Sequence, residues 1–155
     1  YTPGNHEAYN REPEKFYPII RGLTTTLVDS KVEINGTTIV GLDFANESVE
    51  ATQERLAKTG FEKNAPSIAL LHDPRNTDAL LDAGVSLVVS GHTHCGQFFP
   101  MTLVVKSIYK IHTYGVVDRV ANGKSGVSIT TCGVGTAMSP LRLGTNPEVV
   151  VIHIK

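Results

Sequence analysis

Between Val32 and Leu42 the chain alternates apolar and polar residues, turns through Asn35-Gly36 and returns as the β-branched run Thr37 to Leu42. Asn-Gly is the pair that best tolerates a type I′ turn, so this segment predicts a β-hairpin. Ahead of it, Glu12 to Arg21 reads as a short helix opened by Pro13, with Pro18 working against its second half. After it the period changes from two to 3.6. Ser48 is placed to cap a helix running to about Thr59, with Val49 and Leu56 on one face, Glu54 and Lys58 as an i,i+4 pair, and Gly60 as the stop.

Ser67 to Leu71 and Val85 to Val89 are short, continuously apolar runs, and Asn76 to Ala83 between them reads as a helix with Leu80 and Leu81 inward. The pattern is that of a βαβ unit, whose strands are parallel, covered on both faces, and end at the same sheet edge. Beyond Phe98 the pattern turns antiparallel: Val116 to Val120 and Val127 to Thr131 flank an Asn-Gly-Lys-Ser-Gly loop, and Val149 to Ile154 reads as a last strand. The expected fold class is α/β with a mixed sheet.

At 155 residues and 41% hydrophobic the chain is one ordinary domain with enough apolar material for a core, which excludes disorder, collagen and coiled coil. Fourteen Lys and Arg against fifteen Asp and Glu give a formal charge of -1, so no global basic field exists to hold nucleic acid or an anionic membrane. Any polyanion has to be bound locally. The apolar runs fall far short of the roughly 20 residues that span a bilayer. The chain starts at Tyr1 with no signal-like segment, and is expected to be a piece of a longer protein. An anchor or export signal would precede Tyr1, which leaves both an upstream membrane attachment and a cytoplasmic protein open.

The chemistry gathers at the βαβ unit. Its first strand runs straight into His72 and its second into Gly91-His92-Thr93-His94. Ligands of open α/β sheets bind at this edge, and strands about 4.8 Å apart let side chains on the two loops converge on one ion. Neutral imidazoles suit Zn, Fe, Mn and Ni. A fourth element, Gly4-Asn5-His6-Glu7, offers a hard amide oxygen from Asn5 and a titratable proton on His6. His112 and His153 lack such a setting and read as structural.

Gly4-Asn5-His6-Glu7, Leu70-Leu71-His72-Asp73-Pro74 and Ser90-Gly91-His92-Thr93-His94, in this order, resemble the C-terminal half of the calcineurin-like metallophosphoesterases. The tail, with Gly133-Val134-Gly135-Thr136, Ser139 to Leu143 and Pro147-Glu148-Val149, is similar to the YkuE-like bacterial subgroup. The resemblance implies an αββα sandwich of the metallophosphatase type, of which residues 1–155 form only the C-terminal part. It implies hydrolysis of phosphomonoesters or phosphodiesters by a binuclear centre of Mn, Fe or Zn with a bridging hydroxide. Asn5, His72 and His92 would bind one metal, His94 the other, and His6 would act at the leaving group.

Against that pattern, no Asp is followed two residues later by His, and no Gly-Asp dipeptide occurs. The first ligand pair and the bridging carboxylate are therefore expected in a missing N-terminal half, the chain alone is expected to be inactive with at most one well-held metal, and an exposed apolar sheet edge would favour self-association. Cys95 stands where the subgroup usually has Gly. Cys95 and Cys132 read as two unrelated thiols, with a disulfide or a zinc-trapping cluster of Cys95, His92 and His94 as alternatives. Arg142, like Arg75, can grip phosphate bidentately if it faces the cleft, and otherwise is an ordinary surface arginine. Gly133-Val134-Gly135 is no dinucleotide fingerprint, and Asn35 and Asn46, although in glycosylation-type triplets, read as turn and cap. The rival reading is a non-catalytic metal-binding or interaction module holding one structural or adventitious zinc, and the plainest is a domain whose histidines are merely structural.

Overall fold

The computed structural model describes residues 1–9, 13–63, 65–121 and 124–154. A six-stranded mixed sheet runs in the order β1-β2-β3-β4-β6-β5, with β1 Ser30–Ile34, β2 Thr37–Leu42, β3 Ser67–Leu71, β4 Leu87–Ser90, β5 Gly115–Ala121 and β6 Lys124–Thr130. The hairpin forms as expected: Asn35 and Gly36 take φ of 50° and 76°, and Val32 faces Ile39 across the antiparallel pair. Strands β2, β3, β4 and β6 are mutually parallel, and β5 closes the far edge antiparallel to β6. The loop expected at 122–126 lies partly outside the described residues, as does Glu12 at the start of the first predicted helix.

The helices are α1 Asn5–Ala8, α2 Pro13–Leu23, α3 Val49–Lys58, α4 Thr77–Ala83 and α5 Met101–Tyr109. The Ser48 hydroxyl accepts from the Ala51 N–H and Thr59 ends α3, so local cap chemistry sets both limits. Pro18 does not end α2, which runs on to Leu23; the ring denies a hydrogen bond to the Glu14 carbonyl but fits helical φ. Leu56 from α3 and Leu80 and Leu81 from α4 pack on Val40, Leu42, Ala69, Leu71 and Val88 of the parallel strands. This buried layer holds the ends of β3 and β4 in register, with Ala69 beside Val88.

The alternate residues point the other way. Ile39, Ile68, Leu70, Leu87 and Val89 line a trough on the opposite sheet face, bordered by Ile152 and Ile154 of the tail. Among the described residues the helices α3 and α4 therefore pack on one face of the parallel strands, and the expectation of cover on both faces is not met. The tail corrects a second expectation, because Val149 to Ile154 is not a strand. Its apolar alternation reflects contact with the trough and not a hydrogen-bonded ladder. Helix α5 was not foreseen at all. Among the described residues no helix is long and apolar enough to cross a membrane.

Candidate metal centre

The entry segment threads beside the end of β2: the Leu27 N–H donates to the Tyr1 carbonyl, and the Thr2 hydroxyl contacts the carbonyls of Leu27 and Leu42. This delivers Gly4 and Asn5 to the edge where β3 and β4 end. At Gly4 a Cβ would lie 2.7 Å from the His72 ring, so the imidazole packs directly on bare backbone. The Glu7 carboxylate accepts from the Gly4 N–H at 2.7 Å and closes the turn. Gly91 N–H donates to the His72 carbonyl, tying the two histidine loops together.

The result is a triangle of donor atoms. Asn5 Oδ1 lies 2.8 Å from His72 Nε2 and 3.1 Å from His92 Nδ1, and the two nitrogens are 3.0 Å apart. Burial, with help from neighbouring His92, pushes the His72 pKa down to about 4. Burial also lowers His92, against the attraction of Asp73, and lowers His94. Uncharged imidazoles present lone pairs, and two lone pairs and an amide oxygen packed this closely repel one another unless a cation or a proton lies between them. This donor set fits Zn, Mn or Fe. Among the described residues no group of three His, Cys, Asp or Glu side chains is placed to hold a metal, so the cluster reaches three donors only through Asn5.

A second layer orients the rings. Asp73 is buried and accepts from Arg75 at the backbone N–H, at Nε (2.9 Å) and at Nη2 (2.6 Å). Its Oδ2 stands 3.5 Å from His92 Nε2, which favours the tautomer with the proton there and the lone pair on Nδ1. Phe44 and Tyr109 pack their rings about the pair, Phe44 6.0 Å from His72 and Tyr109 6.1 Å from His92. In the sequence Asp73 stands within the Leu70 to Pro74 motif but carries no signal of this orienting role, which depends on His92 nineteen residues on.

His94 does not join the triangle; its Nδ1 lies 3.2 Å from the Gly135 carbonyl. His6 is exposed on α1, near enough for its charge to depress both His92 and His94. His112 is buried between Ser128 and Asp78, and His153 is exposed on the tail, both outside the site.

The loop from His92 to Gln97 is conformationally costly: His92, His94, Cys95 and Gln97 all have positive φ, between 47° and 67°. Long-range bonds hold it. Buried Gln97 reaches the carbonyls of Ala137, Ser139 and Leu141 through Nε2 and accepts the Ala137 N–H. The Arg142 guanidinium donates to the carbonyls of His94, Cys132 and Gly135. Cys95 is disulfide-bonded to Cys132, which overturns the reading of two unrelated thiols and removes the zinc-trapping alternative. The reason is topological: β4 and β6 are parallel neighbours, with Ser90 opposite Thr130, so both cysteines leave the same edge with Cα atoms 5.1 Å apart. Gln97 gave no sequence signal, because its partners lie 40 and more residues away.

Residues 1–96 match the family of calcineurin-like phosphoesterases. An uncharacterized metallophosphoesterase of Helicobacter pylori (strain J99 / ATCC 700824) is 28% identical over 165 residues, covering 99% of this chain and 42% of that protein. One from Campylobacter jejuni is 32% identical over 161 residues, covering 100% of this chain and 41% of that protein. The metallophosphoesterase YkuE of Bacillus subtilis is 32% identical over 136 residues, covering 85% and 44%. The chain therefore spans less than half the length of these relatives. No solved structure matches it.

Proposed function

Because this chain belongs to the calcineurin-like phosphoesterase family, we propose that it carries part of the active site of a metal-dependent phosphate-ester hydrolase. The observation that supports this most is the triangle of Asn5, His72 and His92 at the ends of two adjacent parallel strands. In this reading residues 1–155 are the C-terminal part of one domain, and the upstream part supplies the remaining ligands. Asn5, His72 and His92 would hold one divalent ion, and His94 would contribute to a second. Two such ions, Mn, Fe or Zn, would supply charge neutralisation at the phosphoryl oxygens and a water of lowered pKa.

The chain's own residues do the rest. Asp73 keeps a proton on His92 Nε2 and so keeps Nδ1 free to ligate. His6, exposed beside Asn5, offers a proton toward a leaving oxygen. Arg142, whose Nη donors are engaged by loop carbonyls, positions His94 instead of gripping phosphate.

The test is metal-dependent hydrolysis of p-nitrophenyl phosphate and bis-p-nitrophenyl phosphate by the full-length protein and its His92→Ala variant. A loss of about 100-fold or more is expected when a ligand of a catalytic metal is removed. Unchanged hydrolysis in the variant overturns the proposal. The contact of His94 with Gly135 favours one rival, a non-catalytic module with a single zinc. One tightly held metal and no hydrolysis by the full-length protein would establish that rival.

A further inference from the structure

Helix α5 is apolar on the side that an ordinary surface helix makes polar. Thr102, Val105 and Tyr109 turn inward and are half-buried, while Met101, Val104 and Ile108 recur at i, i+3 and i+7 on the outer side, and Ile111 follows in the turn after the helix. Those four are 41%, 43%, 51% and 60% exposed, and no residue of α5 is buried. Leu103 and Phe99 widen the stripe. A contiguous exposed patch of this kind marks a surface that meets something.

Its charge is one-sided. From Ala83 to Val117 the chain has no Asp or Glu, and Lys106 and Lys110 are its only Lys or Arg, in a protein whose formal charge is -1. Both lysines lie exposed beside the stripe. Across the bracing contacts of Gln97, the loop of Met138, Leu141 and Leu143 is likewise exposed and free of acids.

The patch is separate from the bare trough on the sheet, which no residue of α5 lines. It is also firmly mounted: at Gly96 a Cβ would meet the Thr102 backbone at 2.5 Å, so the first turn of α5 sits directly on the metal-centre loop.

We propose that α5 is an interfacial helix that lies flat on an anionic lipid bilayer, its apolar stripe inserted at the headgroup boundary and Lys106 and Lys110 snorkelling to lipid phosphates. Lysines flanking an apolar stripe, on a stretch of chain without Asp or Glu, complement an anionic leaflet. Docked this way, Tyr109 and the neighbouring His92 come to rest near headgroup depth. The proposal stands whether or not the metal centre hydrolyses anything.

Flotation of the full-length protein with vesicles of phosphatidylcholine, alone and mixed with phosphatidylglycerol, tests it. The protein is expected to float with the mixed vesicles and less with the neutral ones. Lys106→Glu/Lys110→Glu is expected to weaken the mixed-vesicle partition by about tenfold or more, since each juxtamembrane lysine is worth several-fold. Val104→Asp/Ile108→Asp, at exposed positions and checked for fold by circular dichroism, is expected to abolish flotation. Absence of flotation with the mixed vesicles, or equal flotation by the folded aspartate variant, overturns the proposal. So does a wild-type dimer that the aspartate variant dissolves without any vesicle binding, because the stripe is then a protein interface.

Discussion

His72 Nε2 and His92 Nδ1 face each other at 3.0 Å, with Asn5 Oδ1 within 3.1 Å of both. The arrangement is held from outside by burial and by Asp73, and it has a pH consequence. The unfolded chain binds a proton at His72 near pH 6.5, whereas the folded chain refuses it down to about pH 4. The unfolded state therefore binds more protons in that window, and stability must fall as pH falls. The contribution of His72 is complete above pH 6.5 and is lost on descending to about 4. Thermal melts in metal-free buffer are expected to drop across this range, and less steeply for His72→Asn. Equal slopes for the two proteins would remove His72 as the cause.

Gly4 is required by a close approach and not by a turn. Its missing Cβ leaves the 2.7 Å that the His72 ring occupies. Gly4→Ala is expected to turn the ring away from Asn5 and to weaken zinc binding by about tenfold or more, the scale seen when ligand-orienting groups are disturbed. The fold should survive, since Gly4 lies outside the Val40–Val88 core layer. Isothermal titration with zinc measures the effect, and wild-type affinity in the variant would refute the packing argument.

The Cys95–Cys132 bond spans 37 residues and ties the loop from His92 to Gln97 to the end of β6. Closing a loop of that length stabilises by about 4 kcal/mol in the chain-entropy account. A domain of this size then loses about 10 °C of Tm when the bond is opened. Melting with and without dithiothreitol, beside Cys95→Ser, should show the same drop, and the variant should no longer respond to the reductant. A variant that melts like the oxidised protein would mean that Gln97 and Arg142 brace the loop unaided.

The hairpin, the Ser48 cap and the βαβ unit were legible because each is specified within a dozen or so neighbouring residues. Asn35-Gly36 chooses its turn, Ser48 satisfies an N–H three residues on, and the runs at 67–71 and near 85–90 are short and apolar enough to read as strands, although only alternate residues of each are buried. The convergence of His72 and His92 followed from the same local logic, because parallel strands joined by one helix end at one edge. Helix α5 was not legible, since its β-branched Val104, Val105 and Ile108 favour a strand and its apolar residues lie on the exposed face.

The tail and the loop braces depend on the order of strands in the sheet. Val149 to Ile154 has the alternation of a strand, yet Ile152 and Ile154 spend it on a trough made by four other elements. Cys95 finds Cys132, Gln97 finds Ala137, and Arg142 finds His94 only because β6 inserts beside β4 instead of following β5 at the edge. Periodicity and turn chemistry are properties of near neighbours, and they settle the elements. Which distant side chains meet is settled by packing, where many weak contacts choose one sheet order, and only that choice braces the loop from His92 to Gln97.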